Sequence, residues 1–356
     1  MVKTKHCSML ALAALCVFTL HAWTETKDAV QVSSAQADAE HVRMLIPGGQ
    51  AVGVALKTQG VLVVSRVSGQ TVRTPLRAGD VILSVQGKRI ASAQELSRRV
   101  IEADADSVKL SVLRGGKTIE LSAASPVSSV DGRRRLGVWV RDSTAGVGTL
   151  SYIDPQTMAY GALGHAIVDA DTGGMLSVFD GAIMEADVVG VTRGESGRAG
   201  ELKGSFLKEG RQIGSLIRNC TYGIYGVMRS QTDGWLYPQG LPVGDRRQAH
   251  EGAAQIISTV DEDGPQAYAV EILRCFDQNR PSQKGMILRV TDERLLEKTG
   301  GIVQGMSGSP IIQDGKLIGS LTHVYLSDPT QGYGMYIEWM LEQSDAIAAQ
   351  EPEAAA

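Results

Sequence analysis

The chain has 356 residues, with 35 Lys and Arg against 39 Asp and Glu for a formal net charge of −4. That length accommodates two domains with buried cores. A composition of 43% hydrophobic and 21% charged residues excludes an intrinsically disordered chain, and the acidic balance excludes a dedicated nucleic-acid binder. Glycine is in excess: of 41 residues, 9 fall in 1–129 and 32 in 130–356, so the second part reads as short strands joined by tight turns, with a domain boundary near residue 130.

Lys3 and Lys5 precede an apolar run from Met9 to Leu20. It is shorter than the roughly 20 residues a bilayer span needs and suits the apolar segment of a signal peptide. Residues 1–24 are expected to be a signal peptide or export anchor, although Leu20 is bulky for the −3 position of a cut after Ala22. Residues 25–45 read as a linker. Cys7 and Cys16 lie in the leader. Cys220 and Cys275 remain in the exported part, where an oxidising compartment permits a bridge but two free thiols are the preferred expectation. Their spacing fits no metal site, and no metal or organic cofactor is expected.

Residues 46–125 read as an α+β module. Val52–Leu56 and Val61–Val67 are β-branched runs, and Asp80–Val85 is a further strand. Ser92 and Glu95 form a capping box ahead of Leu96, Val100 and Ile101 at helical spacing. Val108–Arg114, the Gly115-Gly116 turn and Thr118–Ser122 form a hairpin. The segment Leu76-Arg77-Ala78-Gly79-Asp80-Val81-Ile82-Leu83-Ser84-Val85-Gln86-Gly87 resembles PDZ domains of bacterial proteases. The resemblance implies a peptide added as a strand, its carboxylate held by the loop Gln59-Gly60-Val61-Leu62.

Residues 130–345 form the second expected domain. Gly305-Met306-Ser307-Gly308-Ser309-Pro310 is a turn that glycines at −2 and +1 allow to be tight, so that successive N–H groups can converge on one point as an oxyanion hole requires. A strand, the Asp314-Gly315 turn and a second strand follow, whereas the nucleophile elbow of an esterase or lipase would lead into a helix. The arrangement resembles the Gly-x-Ser-Gly-x-Pro turn of chymotrypsin-like peptidases. Ser307 is therefore the candidate nucleophile, with Gly305 and Ser307 supplying the oxyanion hole by analogy. Outside the leader the histidines are His41, His165, His250 and His323. His41 falls in the linker and His250 in a polar stretch, while His323 reads as structural or substrate-facing. His165, in a small-residue bend between apolar runs, is the candidate base. The residues leave the orienting carboxylate open among Asp292, Asp169 and Asp171, with Asp154 preceding the histidine.

Leu45-Ile46-Pro47-Gly48-Gly49-Gln50, the PDZ-like segment, Arg141–Leu150, Gly161-Ala162-Leu163-Gly164-His165 and Gly300–Pro310 occur in the order found in SpoIVB-type sporulation serine peptidases. The resemblance spans the chain after the leader. It implies an N-terminal PDZ-like domain followed by a chymotrypsin-like double β-barrel, mainly β overall. It also implies an exported serine endopeptidase acting between the two membranes around the developing forespore. Its expected protein substrate is a membrane-anchored regulator of an intramembrane protease, whose cleavage leads to late sigma-factor activation; self-cleavage is implied as well. An inhibitor protein is a further expected partner, and no nucleic acid is. The resemblance places the triad on Ser307, His165 and Asp292. A catalytically silent PDZ adaptor and an exported esterase are the alternative readings. Tyr336–Leu341 should begin a C-terminal helix, and residues 346–356 should be a disordered tail.

Overall fold

The computed structural model describes residues 42–68, 74–205, 211–229 and 234–349. The expected export segment, most of the linker and most of the C-terminal tail therefore lie outside the described residues. No helix among the described residues is long and apolar enough to cross a membrane.

The fold is mainly β, and two long strands organise it. After the short β1 (Met44–Pro47), β2 (Ala51–Arg66) runs for 16 residues. The α+β module follows as β3 (Val81–Val85), β4 (Lys88–Arg89), α1 (Ala93–Ala103), β5 (Ser107–Arg114) and β6 (Lys117–Ala124), before β7 (Val138–Ile153) returns over another 16 residues. The first half of β2 pairs with the second half of β7, from Ala51 opposite Thr149 to Lys57 opposite Ser143; its second half pairs with the start of β7, from Leu62 opposite Arg141 to Arg66 opposite Val138. Both strands thus belong to the module and to the domain that follows, and the glycine-marked boundary near residue 130 falls in the connection just before β7.

Local chemistry explains the module. Val61, Val63, Ile82, Leu96, Val100, Leu110 and Val112 form its core, gathered from one face of each strand and one stripe of α1. At the helix start, Glu95 N–H donates to Ser92 Oγ (3.1 Å), but the Glu95 carboxylate accepts from Ala91 N–H (3.1 Å) rather than from Ser92. The Asp142 carboxylate of β7 accepts from Ala93 N–H (2.8 Å), tying α1 to the long strand. Asp80 is buried and receives Arg114 Nε and Nη2, both at 2.7 Å.

The expected peptide-receiving loop is corrected here. Gln59, Gly60, Val61 and Leu62 lie inside β2, not in an open loop; Val61 and Leu62 are buried, and Leu62 is paired with Val81 on one side and Arg141 on the other. At Leu62 both edges are filled, so no further strand can add there. The open cleft of the module lies instead between α1 (Ala93, Leu96, Val100) and the segment Leu136–Val140, with a volume of about 590 Å³. The outer edge of 138–142 pairs with no strand among the described residues. The reason is strand order: the segment beside the helix follows the last hairpin of the module rather than preceding its first strand.

The rest of the chain adds β8 (Ala159–Ala162), β9 (Val178–Glu185), the hairpin of β10 (Asp187–Thr192) and β11 (Glu201–Ser205), β12 (Gln212–Ser215), β13 (Arg218–Cys220), β14 (Gly223–Val227) and β15 (Leu241–Pro242). β8, β9 and β14 join β2 and β7 in one curved sheet around Val52, Val54, Leu150, Tyr160 and Ile183. A closed six-stranded barrel follows: β16 (Gly252–Thr259), β17 (Pro265–Cys275), β18 (Met286–Val290), β19 (Pro310–Gln313), β20 (Lys316–Val324) and β21 (Gln331–Tyr336). The short α2 (Glu293–Thr299) stands between β18 and β19, and α3 (Ile337–Ala348) closes the description, extending past the point where the tail was expected to begin. The first of the two expected barrels is thus continuous with the module's sheet, because β2 and β7 outrun it; the second closes.

Candidate active site

Ser307 stands on the connection between α2 and β19, at the end of a backbone held from both sides. Gly305 (φ +98°) and Gly308 (φ +104°) occupy conformations that favour glycine. At Gly308 a Cβ would overlap the Thr149 carbonyl oxygen and crowd Leu163 N, so no other residue fits. Thr149 of β7 reaches the turn twice: its N–H donates to Ser307 O (3.2 Å) and its Oγ1 to Gly305 O (2.7 Å). From beneath, Gly308 N–H donates to Leu321 O of β20 (2.8 Å), and Ser309 Oγ to Met306 O (2.7 Å). The N–H groups of Gly305 and Ser307 have no acceptor among the described residues. After the turn Pro310–Gln313 is a strand, not a helix, which overturns the nucleophile-elbow alternative.

His165 follows β8 through two consecutive left-handed residues, Leu163 (φ +67°) and Gly164 (φ +67°). For leucine this conformation is strained by about 1–2 kcal/mol, and it is held by Leu163 N–H to Thr149 O (3.1 Å). Thr149 therefore touches both the histidine turn and the serine turn. His165 Nδ1 lies 3.0 Å from Ala166 O. A carbonyl only accepts, so this contact puts the proton on Nδ1 and leaves the Nε2 lone pair free to act as a base. Two residues on, Asn219 accepts from Ile167 N–H (2.8 Å) and donates to the Ile167 and Leu176 carbonyls (2.8 Å each), fixing the segment behind the imidazole. Sequence reasoning missed Asn219; its only linear signal is an amide just ahead of the strand that pairs with β8.

His165, Ser307, Gly305, Thr322, His323 and Leu202 line one cleft of about 800 Å³. The Ser307 hydroxyl donates to the Thr322 carbonyl (2.9 Å), so it must turn away from β20 to engage any other acceptor. The β10–β11 hairpin forms one wall, anchored by Leu202 N–H to Gln304 O and Gln304 N–H to Gly200 O, both 2.8 Å. His323 is the unexpected neighbour. Its ring centre lies 5.6 Å from that of His165, and its Nδ1 is buried without a hydrogen-bond partner. Burial, the nearby His165 and Lys284 push its pKa down to about 4.

The carboxylates stand elsewhere. Asp292 caps α2: it accepts from Arg294 N–H (3.0 Å), pairs with the Arg294 guanidinium (2.8 Å) and accepts from Ala269 N–H (3.1 Å). The Arg294 side chain, opposed by burial and helped by the Ala269 amide, holds its pKa down at about 2. It is not among the residues lining the cleft. Asp169 is buried against the Arg141 guanidinium and the Thr172 N–H and hydroxyl, while Asp171 pairs with the same arginine (2.8 Å). Neither lines the cleft. Asp154 accepts from Gln156 N–H (2.9 Å) at the turn before β8. The structure thus brings Ser307, Gly305 and His165 together and leaves Asp292 at its helix cap.

Cys220 and Cys275 are both free, and Cys220 Sγ lies 3.7 Å from Gln343 Oε1. No group of three or more metal-ligating side chains occurs among the described residues.

A family model described as SpoIVB peptidase S55 matches residues 132–341, and a PDZ domain model matches residues 48–124. No curated protein matches the chain. Among solved structures, the PDZ domain of the SdrC-like protein Lmo2051 from Listeria monocytogenes is similar at 24% identity, covering 23% of this chain and 87% of that one, with a TM-score of 0.21. The active form of the Rv3671c protease from M. tuberculosis is similar at 16% identity over 57% of this chain and 74% of that one, TM-score 0.32. The HtrA-type protease AlgW with a tripeptide is similar at 13% identity over 57% of this chain and 56% of that one, TM-score 0.33.

Proposed function

From the premise that this chain belongs to the SpoIVB peptidase S55 family and is a serine peptidase carrying a PDZ domain, we infer that Ser307 is its nucleophile and His165 its general base. The observation that carries this reading is the shared cleft, which His165, Gly305 and Ser307 line together and in which the N–H groups of Gly305 and Ser307 have no acceptor among the described residues. Ser307 Oγ attacks the peptide carbonyl as its proton passes to His165 Nε2. The Gly305 and Ser307 amides receive the developing oxyanion, and the protonated imidazole then returns the proton to the leaving amine. Asp292 enters this reading through α2, whose N-terminus it caps just ahead of the serine turn.

The proposed substrate is a membrane-anchored regulatory protein in sporulation signalling, reached after export, together with the enzyme's own N-terminal region. The family membership and the leader-like Lys3–Leu20 segment support it. A substrate or partner peptide docks along the free edge of 138–142, beside α1 and below Arg133, Arg134 and Arg135.

Co-expression of the wild type, Ser307→Ala and His165→Ala with a membrane-anchored candidate, followed by N-terminal sequencing of every product, tests this. New termini of both the candidate and the enzyme should appear with the wild type alone. Processing that survives Ser307→Ala would contradict the reading and favour a silent adaptor served by another protease.

A further inference from the structure

The proposed reaction fixes which way a substrate runs through the cleft. Its carbonyl oxygen sits at the Gly305 and Ser307 amides, and its leaving amine must face His165, which returns the proton. The residue on the acyl side of the scissile bond therefore points away from the imidazole, toward the segment that leads into the serine turn. That segment is Ile302, Val303 and Gln304, and Thr322, His323 and Val324 of β20 line the same cleft. The acyl-side side chain of a substrate has to fit between these two walls.

Little room is left there. Gly332 of β21 pairs with Val324, and a Cβ built on it would stand 2.5 Å from the His323 carbonyl oxygen and 2.6 Å from Ile302 Cδ1. Ile302 thus fills the space that the absent side chain of Gly332 leaves open, and only 3% of it is exposed. Its backbone is pinned. Ile302 N–H donates to Pro329 O (2.7 Å), and on the residue before it Gly301 N–H donates to the Thr299 hydroxyl (3.2 Å). A Cβ at Gly301 would overlap the same Pro329 carbonyl, so the segment cannot step back from the cleft. The wall on β11 is apolar where it meets the turn: Leu202 is buried against Gly305, while its strand neighbours Glu201 and Lys203 are exposed.

We propose that Ile302 is the specificity-determining residue of the cleft, closing its acyl-side pocket so that the residue ahead of the scissile bond is uncharged and no larger than valine. This rests on the reading of Ser307 and His165 given above and names the class of peptide that site takes. A leucine or phenylalanine would have to drive Ile302 Cδ1 into the His323 backbone, which yields far less readily than a side chain. A lysine or arginine would bury its charge against Ile302 and Val303 without a partner.

The test uses the full chain and aminoalkyl diphenyl phosphonates whose side chain copies alanine, valine, leucine or phenylalanine. Ser307 Oγ forms the O–P bond, phenoxide leaves, and the serine proton passes through His165 to give phenol. A fluorophosphonate, which carries no such side chain and loses fluoride instead, is the reference, and each rate is divided by the same variant's fluorophosphonate rate. The wild type should take the alanine and valine probes about 10²-fold faster than the phenylalanine probe. Ile302→Ala should narrow that ratio roughly tenfold by speeding the phenylalanine probe. Ile302→Val, which removes only Cδ1, should admit the leucine probe, and it carries the test if Ile302→Ala fails to fold. With Ser307 labelled by the fluorophosphonate, three results would overturn the pocket alone: phenylalanine and alanine probes reacting equally fast, no reaction with any phosphonate, or ratios that neither variant at Ile302 changes. If the fluorophosphonate does not label Ser307, or labels it normally in His165→Ala, the underlying assignment falls and the role of Ile302 with it.

Discussion

The two halves of the cleft are built differently. Ser307 stands on a closed six-stranded barrel, its turn held by Leu321 below and Thr149 from the side. His165 stands on an open sheet whose central strands, β2 and β7, continue into the PDZ module. Ser307 is thus fixed by a scaffold with no edges, and His165 by one that the PDZ module extends. Along β7 the contrast becomes concrete: residues 138–140 wall the module's cleft, Arg141 grips the loop after His165 through Asp169 and Asp171, and Thr149 holds both the histidine turn and the serine turn.

The largest structural effect should come from the serine side. Gly308→Ala forces a side chain into the Thr149 carbonyl at a positive φ and should cost about 3 kcal/mol or more, read as a lower denaturant midpoint. A neutral Gly308→Ala would show that the closed half yields as readily as the open one.

On the histidine side, Arg141→Ala strips the buried Asp169 carboxylate of its cation and should cost about 2 kcal/mol. Burial alone would raise the Asp169 pKa, but the Thr172 N–H and hydroxyl together with Arg141 hold it below the ordinary carboxylate range. A depressed folded pKa stabilises the protein above the unfolded value, about 3.9. That contribution fades as pH falls through the lower folded value, so wild type and Arg141→Ala should converge in acid. A constant gap down to pH 2 would show that the arginine acts by packing alone.

The smallest effect concerns Asp292. Asp292→Asn keeps a capping oxygen but loses the charge that pairs with Arg294, and should cost about 1 kcal/mol. Because the Asp292 pKa is held at about 2, chiefly by Arg294, the difference should vanish as pH falls from about 4 to about 2. Fluorophosphonate reactivity should stay within a fewfold of the wild type. A loss of three orders of magnitude in rate with stability intact would return Asp292 to the catalytic centre.

Much of this was readable in the linear sequence, for identifiable reasons. The serine turn announces itself because Gly305, Gly308 and the Asp314-Gly315 hairpin are local features whose geometry depends on few distant residues. His165 followed from the scarcity of histidines and its small-residue bend. The neighbours were not readable. That His323 faces His165 depends on the registry of β20 in the barrel, and that Asn219 supports the histidine loop depends on the pairing of β14 with β8. The module's open cleft lies beside α1 and not at Gln59–Leu62, because the strand beside α1 comes last in the module, and strand order in space is not strand order in sequence. Asp292 came from resemblance alone, and in this fold its carboxylate belongs to Arg294.

The most direct measurement is fluorophosphonate labelling of the wild type, Ser307→Ala and His165→Ala, with the adduct mapped by peptide mass spectrometry. A single adduct on Ser307, absent from Ser307→Ala and strongly reduced in His165→Ala, is the predicted result. An adduct on another residue, or labelling that persists in Ser307→Ala, would contradict it.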